Sequence, residues 1–222
     1  MEKIYCPICN SDDCKDLVFQ QGYIFCNSCG HRFKIHEMDY DWYEKADYWY
    51  RDEHLIRYQK MFVSVFEEFV KPGNALEIGS ADGDFLNIIK NTCNLEKTHY
   101  NELVKMNRDE YDFDEYHIGA IDYLEMPEDM DNIFMIDVIE HLNNSKDAFK
   151  RIFSWLKPGG RMFILTNNGD AYNADHEFIY HFEHREIFSD KSMDLMLETE
   201  PCKKVLDWNS PFGLKFLVIE RV

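Results

Sequence analysis

The chain has 222 residues, 45% hydrophobic and 30% charged, with 42 acidic against 24 basic side chains and a formal net charge of -18. That is an ordinary globular mixture, long enough for one full α/β domain and something small beside it. The excess of acid disfavours nucleic acid as a partner, because gripping a phosphate backbone depends on Lys and Arg displacing counterions.

No stretch approaches the roughly 18 consecutive apolar residues that a membrane span needs. The opening Met1-Glu2-Lys3-Ile4-Tyr5-Cys6 carries no apolar signal region, so the expected location is the cytoplasm. In a reducing compartment, the seven cysteines call for metal binding or burial rather than a disulfide framework.

Residues 1–36 are rich in cysteines and turns. Cys6-Pro-Ile-Cys9 and Cys26-Asn-Ser-Cys29 form two C-x-x-C knuckles with sixteen residues between them. Two knuckles so spaced can close four thiolates around one zinc ion. Gly30 permits the turn in which amides point at the sulfurs, and Gln21–Phe25 supplies a returning strand. A module this small lacks an adequate core, and metal ligation, on the order of 10 kcal/mol in small zinc peptides, replaces it. Four closed ligands leave no open position, so the zinc is structural. Cys14, Cys93 and Cys202 have no knuckle partner and are expected to be small apolar fillers.

Residues 37–71 are acidic and aromatic, then helical. The cluster Tyr40-Asp-Trp-Tyr43 to Tyr48-Trp49-Tyr50 has two readings, packing between the ribbon and the rest or a lid over a ligand. His54–Val70 follows as a helix whose Leu55, Tyr58, Phe62, Val65 and Phe69 share a face toward the core.

From residue 72 onward, strand-like apolar runs alternate with amphipathic stretches, as in βαβ units around a parallel sheet. The strands are Ala75–Ile78, Thr98–Asn101, Tyr116–Ile118, Ile133–Ile136 and Arg161–Thr166, with helices at Asp84–Asn91 and Lys146–Leu156. Lys204–Asp207 and Lys215–Glu220, joined by a turn at Asn209–Gly213, form an antiparallel hairpin closing the sheet edge.

Two features carry chemistry in this segment. Small residues at Gly79, Ala81 and Gly83, between a strand and a helix, let a ligand lie directly on backbone. Glu102, at the end of the next strand, is placed to accept hydrogen bonds from both ribose hydroxyls of a nucleoside; alternatively it opens a helix.

The run Ala75-Leu-Glu77-Ile-Gly79-Ser80-Ala81-Asp-Gly83, then Glu102, then Asp137-Val138-Ile-Glu140-His141-Leu142, then Leu156-Lys-Pro-Gly-Gly160, resembles class I S-adenosylmethionine-dependent methyltransferases. With its zinc-ribbon leader, the chain is similar to a bacterial subgroup that often modifies sugars, surface polysaccharide precursors or natural products. The resemblance implies that Gly79, Ser80, Ala81 and Gly83 line the methionine and ribose of the cofactor while Glu77 supports the loop. It places Glu102 on the ribose and Ala120, Ile121 and Asp122 around adenine, with Asp122 toward the amino group. Asp137 and Val138 then stand near the methionine end. Ser80 and Ala81 depart from the commoner cysteine and glycine, but both are small.

Two places offer a histidine beside an acid. Glu140-His141 follows the fourth strand at the sheet's carboxyl edge, where His141 is either a base or a packing and orienting residue. The second is the insertion Asp175-His176-Glu-Phe-Ile-Tyr180-His181-Phe-Glu183-His184. Its three histidines suggest a metal site, yet their spacing matches no common motif. Glu183-His184 followed by Phe188-Ser189 is similar to an acceptor-pocket segment of sugar methyltransferases. That likeness makes His184 the base, Glu183 its neighbour or a substrate contact, and Tyr180 and His181 pocket-lining. The alternative is that His184 caps the helix following Ser189. Asn167 and Asn168, ending the fifth strand, are further polar pocket candidates.

The expectation is therefore an α/β Rossmann-like, doubly wound domain over residues 72–222. Its sheet is mostly parallel and seven-stranded, with an antiparallel edge hairpin. It is preceded by a zinc ribbon (1–36) and an aromatic, helical lid or linker (37–71). It would move a methyl group from S-adenosyl-L-methionine to oxygen, carbon or nitrogen of a small acceptor, such as a sugar, nucleotide-sugar or polysaccharide or natural-product precursor. The rivals are an RNA methyltransferase gripping RNA with the ribbon and a non-catalytic binding module. The sequence carries no signal for an oligomeric state.

Overall fold

The computed structural model describes residues 3–17, 22–35, 53–103, 114–171 and 183–222. The aromatic cluster at 40–50, His176, Tyr180 and His181 lie outside these residues.

Three short strands make the ribbon: β1 (Cys14–Asp16), β2 (Tyr23–Cys26) and β3 (Arg32–Lys34), antiparallel in that order. Helix α1 (Glu53–Phe66) ends in a 3-10 turn, Glu67–Phe69. The core domain then runs β4 (Gly73–Ile78), α2 (Asp84–Thr92), β5 (Leu95–Glu102), β6 (Glu115–Ile118), β7 (Met130–Ile136), α3 (Ser145–Ser154) and β8 (Leu156–Asn167). It finishes with β9 (Glu186–Ile187), α4 (Asp190–Leu197), β10 (Cys202–Asn209) and β11 (Leu214–Arg221).

Seven strands form the main sheet in the order β10-β11-β8-β7-β4-β5-β6. Neighbours from β8 to β6 are parallel, and β11 is antiparallel to both β8 and β10. The expected hairpin is present, but only β10 lies at the edge; β11 is inserted between it and β8. The residues explain this: Phe216–Ile219 are all buried and suit an interior strand, whereas β10 is mostly exposed. α3 stops at Ser154, two residues short of the expectation, because Leu156 already pairs with Met130 of β7.

Alternation along the strands builds two cores. Ile133, Met135, Met162 and Ile164 face α3, α4 and the ribbon. Phe134, Phe163 and Leu165 face α1 and α2 on the other side, with Phe134 and Phe163 stacked 4.6 Å apart. Of the stripe expected on this helix, Phe62 is buried and Val65 and Phe69 pack partly buried against the same core, joined by Val63 and Phe66, whereas Tyr58 does not enter it. Tyr58 is 57% exposed and leans on Phe62 from outside.

The ribbon is continuous with the first of these cores: Cys6, Ile8, Ile24, Cys26, Cys29 and Phe33 belong to the same buried cluster. Its sheet is completed by β9, a strand contributed from far along the chain, with Arg32 opposite Ile187 and Phe33 opposite Glu186. Further ties are Lys146 Nζ donating to Ile8 O (2.7 Å), Lys191 Nζ to Ser28 O (2.7 Å) and Arg32 to Gly169 O (3.1 Å). Fully buried His31 lies 3.0 Å from the Glu186 carboxylate, which also accepts from the Ser145 hydroxyl at 2.6 Å.

Candidate cofactor and acceptor site

Strand order reverses at β4, with β5 on one side and β7 on the other, and the carboxyl ends of these strands open a crevice where such sheets bind ligands. A cavity of about 240 Å³ occupies it. Its floor and rim are Ile78 and Gly79 from β4, Asn101 to Leu103 from β5, Gly119 to Ile121 after β6, and Asp137 and Val138 after β7. His141, Leu142 and Glu183 close it.

The turn after β4 is held in an unusual shape. Gly79, Ala81 and Gly83 all have positive φ (64°, 46° and 77°). At Gly79 a Cβ would stand 2.6 Å from Val138 Cγ2, so only glycine fits. Ala81 tolerates the left-handed conformation because its amide donates to Glu102 Oε2 at 2.7 Å. Glu102 Oε1 accepts from the amide of Leu103, also at 2.7 Å. Each carboxylate oxygen thus spends one lone pair on backbone and keeps capacity for a second donor. Glu102 is only 5% exposed, and burial pushes its carboxyl up against the pull of those two amides. Glu77 lies beneath the turn, its carboxylate accepting from the amide of Leu86 in the first turn of α2 (3.3 Å), and burial raises its pKa well above the usual range. Among the described residues no Lys or Arg lines the site; its walls are apolar with acidic points, which suits a neutral aromatic base and a cationic group rather than a free phosphate.

Beyond Val138 the chain enters a 3-10 turn, Ile139–His141, that buries Glu140 and presents His141 to the cavity. Asp137 has φ 54°, a backbone setting that aims the strand end into the crevice. The rings of His141 and His184 meet edge to face, centroids 4.9 Å apart. One ligand atom each from Glu140, His141 and His184 lies within 4.8 Å of the others. Glu140 is 1% exposed; the Thr166 hydroxyl and Asn167 amide lie beside its carboxylate without closing a hydrogen bond of good geometry. Burial first, and the neighbouring Asp137 carboxylate second, push Glu140 upward.

The ribbon reaches this site. Tyr23 Oη donates to the backbone carbonyl of His184 at 2.6 Å, Lys34 N donates to Arg185 O at 3.0 Å, and Arg185 N donates to Glu140 O at 2.7 Å. Within the ribbon, Cys6 and Cys29 sulfurs are 3.7 Å apart, and those of Cys9 and Cys26 3.5 Å. A tetrahedron of sulfurs at about 2.3 Å from a zinc has edges of about 3.8 Å, so the four are spread as ligands and not as disulfides. Gly30, at φ 75°, turns the second knuckle back against Ser189, whose hydroxyl donates to Cys29 O.

Of the residues singled out from sequence, the cavity gathers Gly79, Glu102, Ala120, Ile121, Asp137, Val138, His141 and Glu183. His184 and Glu140 stand just behind His141. Ser80, Ala81, Gly83 and Glu77 shape the turn without lining the cavity, and Asp122 sits in the 3-10 turn Ile121–Tyr123. Asn167 and Asn168 do not line it: Asn168 is buried and accepts from the amide of Asp170 at 2.8 Å. His184 does not cap the helix after Ser189, because Ser189 itself accepts from the Ser192 amide. Sequence reasoning missed Ile78, Asn101, Leu103, Gly119 and Leu142. Each adjoins a residue that was found, so adjacency to Gly79, Glu102, Ala120 and His141 was the available signal.

A sheet of this order with a small-residue turn and an acid on the adjacent strand defines a nucleoside-cofactor transferase fold. The chain belongs to a family of methyltransferase domains, matched over residues 48–200. No curated protein matches it. Among solved structures it is similar to the PH0226 protein of Pyrococcus horikoshii OT3 (13% identity, TM-score 0.63, 78% of this chain and 92% of that one). It is also similar to the plantazolicin methyltransferase BpumL in complex with a monoazolic desmethylPZN analog and SAH (12%, 0.62, 82% and 93%). A third is an S-adenosylmethionine-dependent methyltransferase from Clostridium acetobutylicum ATCC 824 (12%, 0.57, 82% and 96%). At these identities the likeness is one of fold.

Proposed function

We propose that this protein transfers the methyl group of S-adenosyl-L-methionine to a small-molecule acceptor, with sugars, nucleotide-sugars and polysaccharide or natural-product precursors the favoured classes. The observation that carries the reading is that one cavity joins the Gly79 turn, the Glu102 carboxylate and the His141 face.

In this reading the ribose hydroxyls donate to the open lone pairs of Glu102. Adenine lies among Leu103, Ala120 and Ile121, and the methionine end runs past Gly79 toward Asp137 and Val138. The sulfonium methyl then faces His141, with His184 and Glu183 beside it, where an acceptor enters. Transfer is an in-line displacement: the acceptor atom bonds the methyl carbon as the sulfur–carbon bond breaks, leaving a neutral thioether. Alignment of the three atoms supplies much of the rate. The histidine pair prepares an acceptor hydroxyl for loss of its proton. The four ribbon cysteines hold one structural zinc, and the ribbon (1–36), aromatic connector (37–71) and transferase domain (72–222) act as one unit.

The acidic surface supports a small acceptor over RNA, given the net charge of -18. The test is calorimetry with S-adenosylhomocysteine followed by an acceptor panel scored by release of that product. Failure to bind S-adenosylhomocysteine would refute the reading.

A further inference from the structure

We infer that Glu140, His141 and His184 form a binding site for a divalent transition-metal ion beside the methyl-transfer position, and that the acceptor carries two adjacent oxygens which bind that ion.

The inference deepens the methyltransferase reading and rests on it for the acceptor class, but the metal site stands on its own geometry. Two segments far apart in sequence, Glu140-His141 and the stretch carrying His184, bring one carboxylate and two imidazoles together within 4.8 Å. Bonds of about 2.1 Å to a shared ion imply ligand separations near 3 Å, which small side-chain rotations would close. Glu140 supplies the second, independent observation. It is almost wholly buried, and among the described residues neither carboxylate oxygen has a hydrogen-bond partner in good geometry, an arrangement that costs free energy until a better partner meets it.

The backbone shows that the trio is built. Glu140 and His141 share one 3-10 turn, and the segment carrying His184 is fastened to that turn by Arg185 N and to the ribbon by Tyr23. A comparable cluster on the sheet edge, His99, Glu115 and His117, differs in that the Lys97 ammonium already sits on Glu115.

Two imidazoles with one carboxylate suit zinc, manganese, iron, cobalt or nickel better than magnesium, which prefers an all-oxygen shell. Such a trio covers one face of an ion and leaves the other for oxygen ligands. That open face meets the cavity through His141. A vicinal diol, catechol or 2-hydroxy-carbonyl compound would place one hydroxyl on the metal with its neighbour completing the chelate. With both imidazoles on the ion, the metal takes over the activation that the histidine pair would otherwise give directly. The bound hydroxyl loses its proton to solvent water, the metal-held oxygen bonds the sulfonium methyl, and the carbon–sulfur electron pair returns to sulfur.

The full chain with its ribbon metal retained should be titrated with Mn2+ in the absence of cofactor, following free Mn2+ by electron paramagnetic resonance and repeating with Co2+ by absorption. The expected result is one further ion per chain, with affinity at least 10-fold weaker in E140Q, H141N and H184N. Each variant should still bind S-adenosylhomocysteine within about threefold of wild type, which also reports an intact fold. No ion beyond the ribbon's, or equal binding in correctly folded variants, would overturn the site. Ion binding without any S-adenosylhomocysteine binding would sink the methyltransferase reading and the acceptor class while leaving the metal site. With site and cofactor both bound, diol and 2-hydroxy-carbonyl acceptors should turn over only with added metal. Equal turnover of mono-hydroxylic acceptors would remove the chelation claim.

Discussion

Glu102→Ala tests the centre of the proposed cofactor site. Both carboxylate oxygens already accept a backbone amide at 2.7 Å, from Ala81 and Leu103, and Glu102 lines the cavity with capacity left on each oxygen. Hydrogen bonds to a charged group contribute about 1.5–3 kcal/mol each. Losing two from ribose would therefore cost about 3–6 kcal/mol, or roughly 10²–10⁴ in affinity. The substitution also frees the Ala81 amide, so part of any loss could come from a relaxed turn. A double cycle separates the two effects: S-adenosylhomocysteine and its 2′-deoxyribose analogue are each titrated calorimetrically into wild type and E102A. Wild type should bind the deoxy analogue about 10-fold or more weakly, whereas E102A should barely distinguish the two ligands. Binding of S-adenosylhomocysteine to E102A within threefold of wild type, or an equal deoxy penalty in both proteins, would refute the reasoning.

Gly79→Ala must adopt a left-handed φ and push Val138 aside, costing about 1–2 kcal/mol for the backbone alone. A fall in melting temperature of about 2–8 °C is expected, with weaker cofactor binding; unchanged values in both measurements would count against the tight turn. Tyr23→Phe deletes the hydroxyl that holds the His184 carbonyl. Stability should drop by about 0.5–1.5 kcal/mol in urea titrations, and turnover should fall while S-adenosylhomocysteine affinity holds. Undiminished turnover would separate the ribbon from catalysis. Burial raises the Glu77 carboxyl well above its unfolded pKa, so the folded state binds its proton more tightly. Its stabilisation is full below the unfolded pKa and is lost as pH rises toward the folded one, by up to about 1.4 kcal/mol per unit. Glu77→Gln should flatten the decline in melting temperature between pH 5 and 8, and parallel wild-type and variant curves would contradict this.

The core domain was legible because parallel strands buried on both faces leave apolar runs, and because Gly79, Glu102 and the residues around Asp137 sit at fixed places on such a sheet. The ribbon knuckles were legible for a different reason, since ligand spacing survives without a core. Three things were hidden. The pairing of β3 with β9 joins residues about 150 apart, and a two-residue strand at Glu186–Ile187 has no periodicity to detect. The gathering of His184 with Glu140 and His141 depends on that pairing, so two separate histidine candidates could not be seen as one cluster. That the Asn168 side chain turns back to accept from the Asp170 amide is set by local hydrogen bonding in the following turn and not by its place at a strand end. Tyr58 misled for a related reason: helical spacing identifies a stripe, but where along its length the stripe meets the sheet is decided by packing.

The four-stranded antiparallel sheet shared by the ribbon and β9 has a practical bearing on how the protein can be cut. A recombinant fragment trimmed to residues 48–200 would lose β3 and leave β9 as a bare edge. It would uncover the Ile187 and Phe188 side chains, both at most 2% exposed in the whole chain. It would also remove both β10 and β11 and leave β8 as the edge of the main sheet. Unsheathed edges of this kind invite pairing between molecules, so such a fragment should precipitate or form assemblies, and any truncation meant to isolate the transferase core has to carry its leader along.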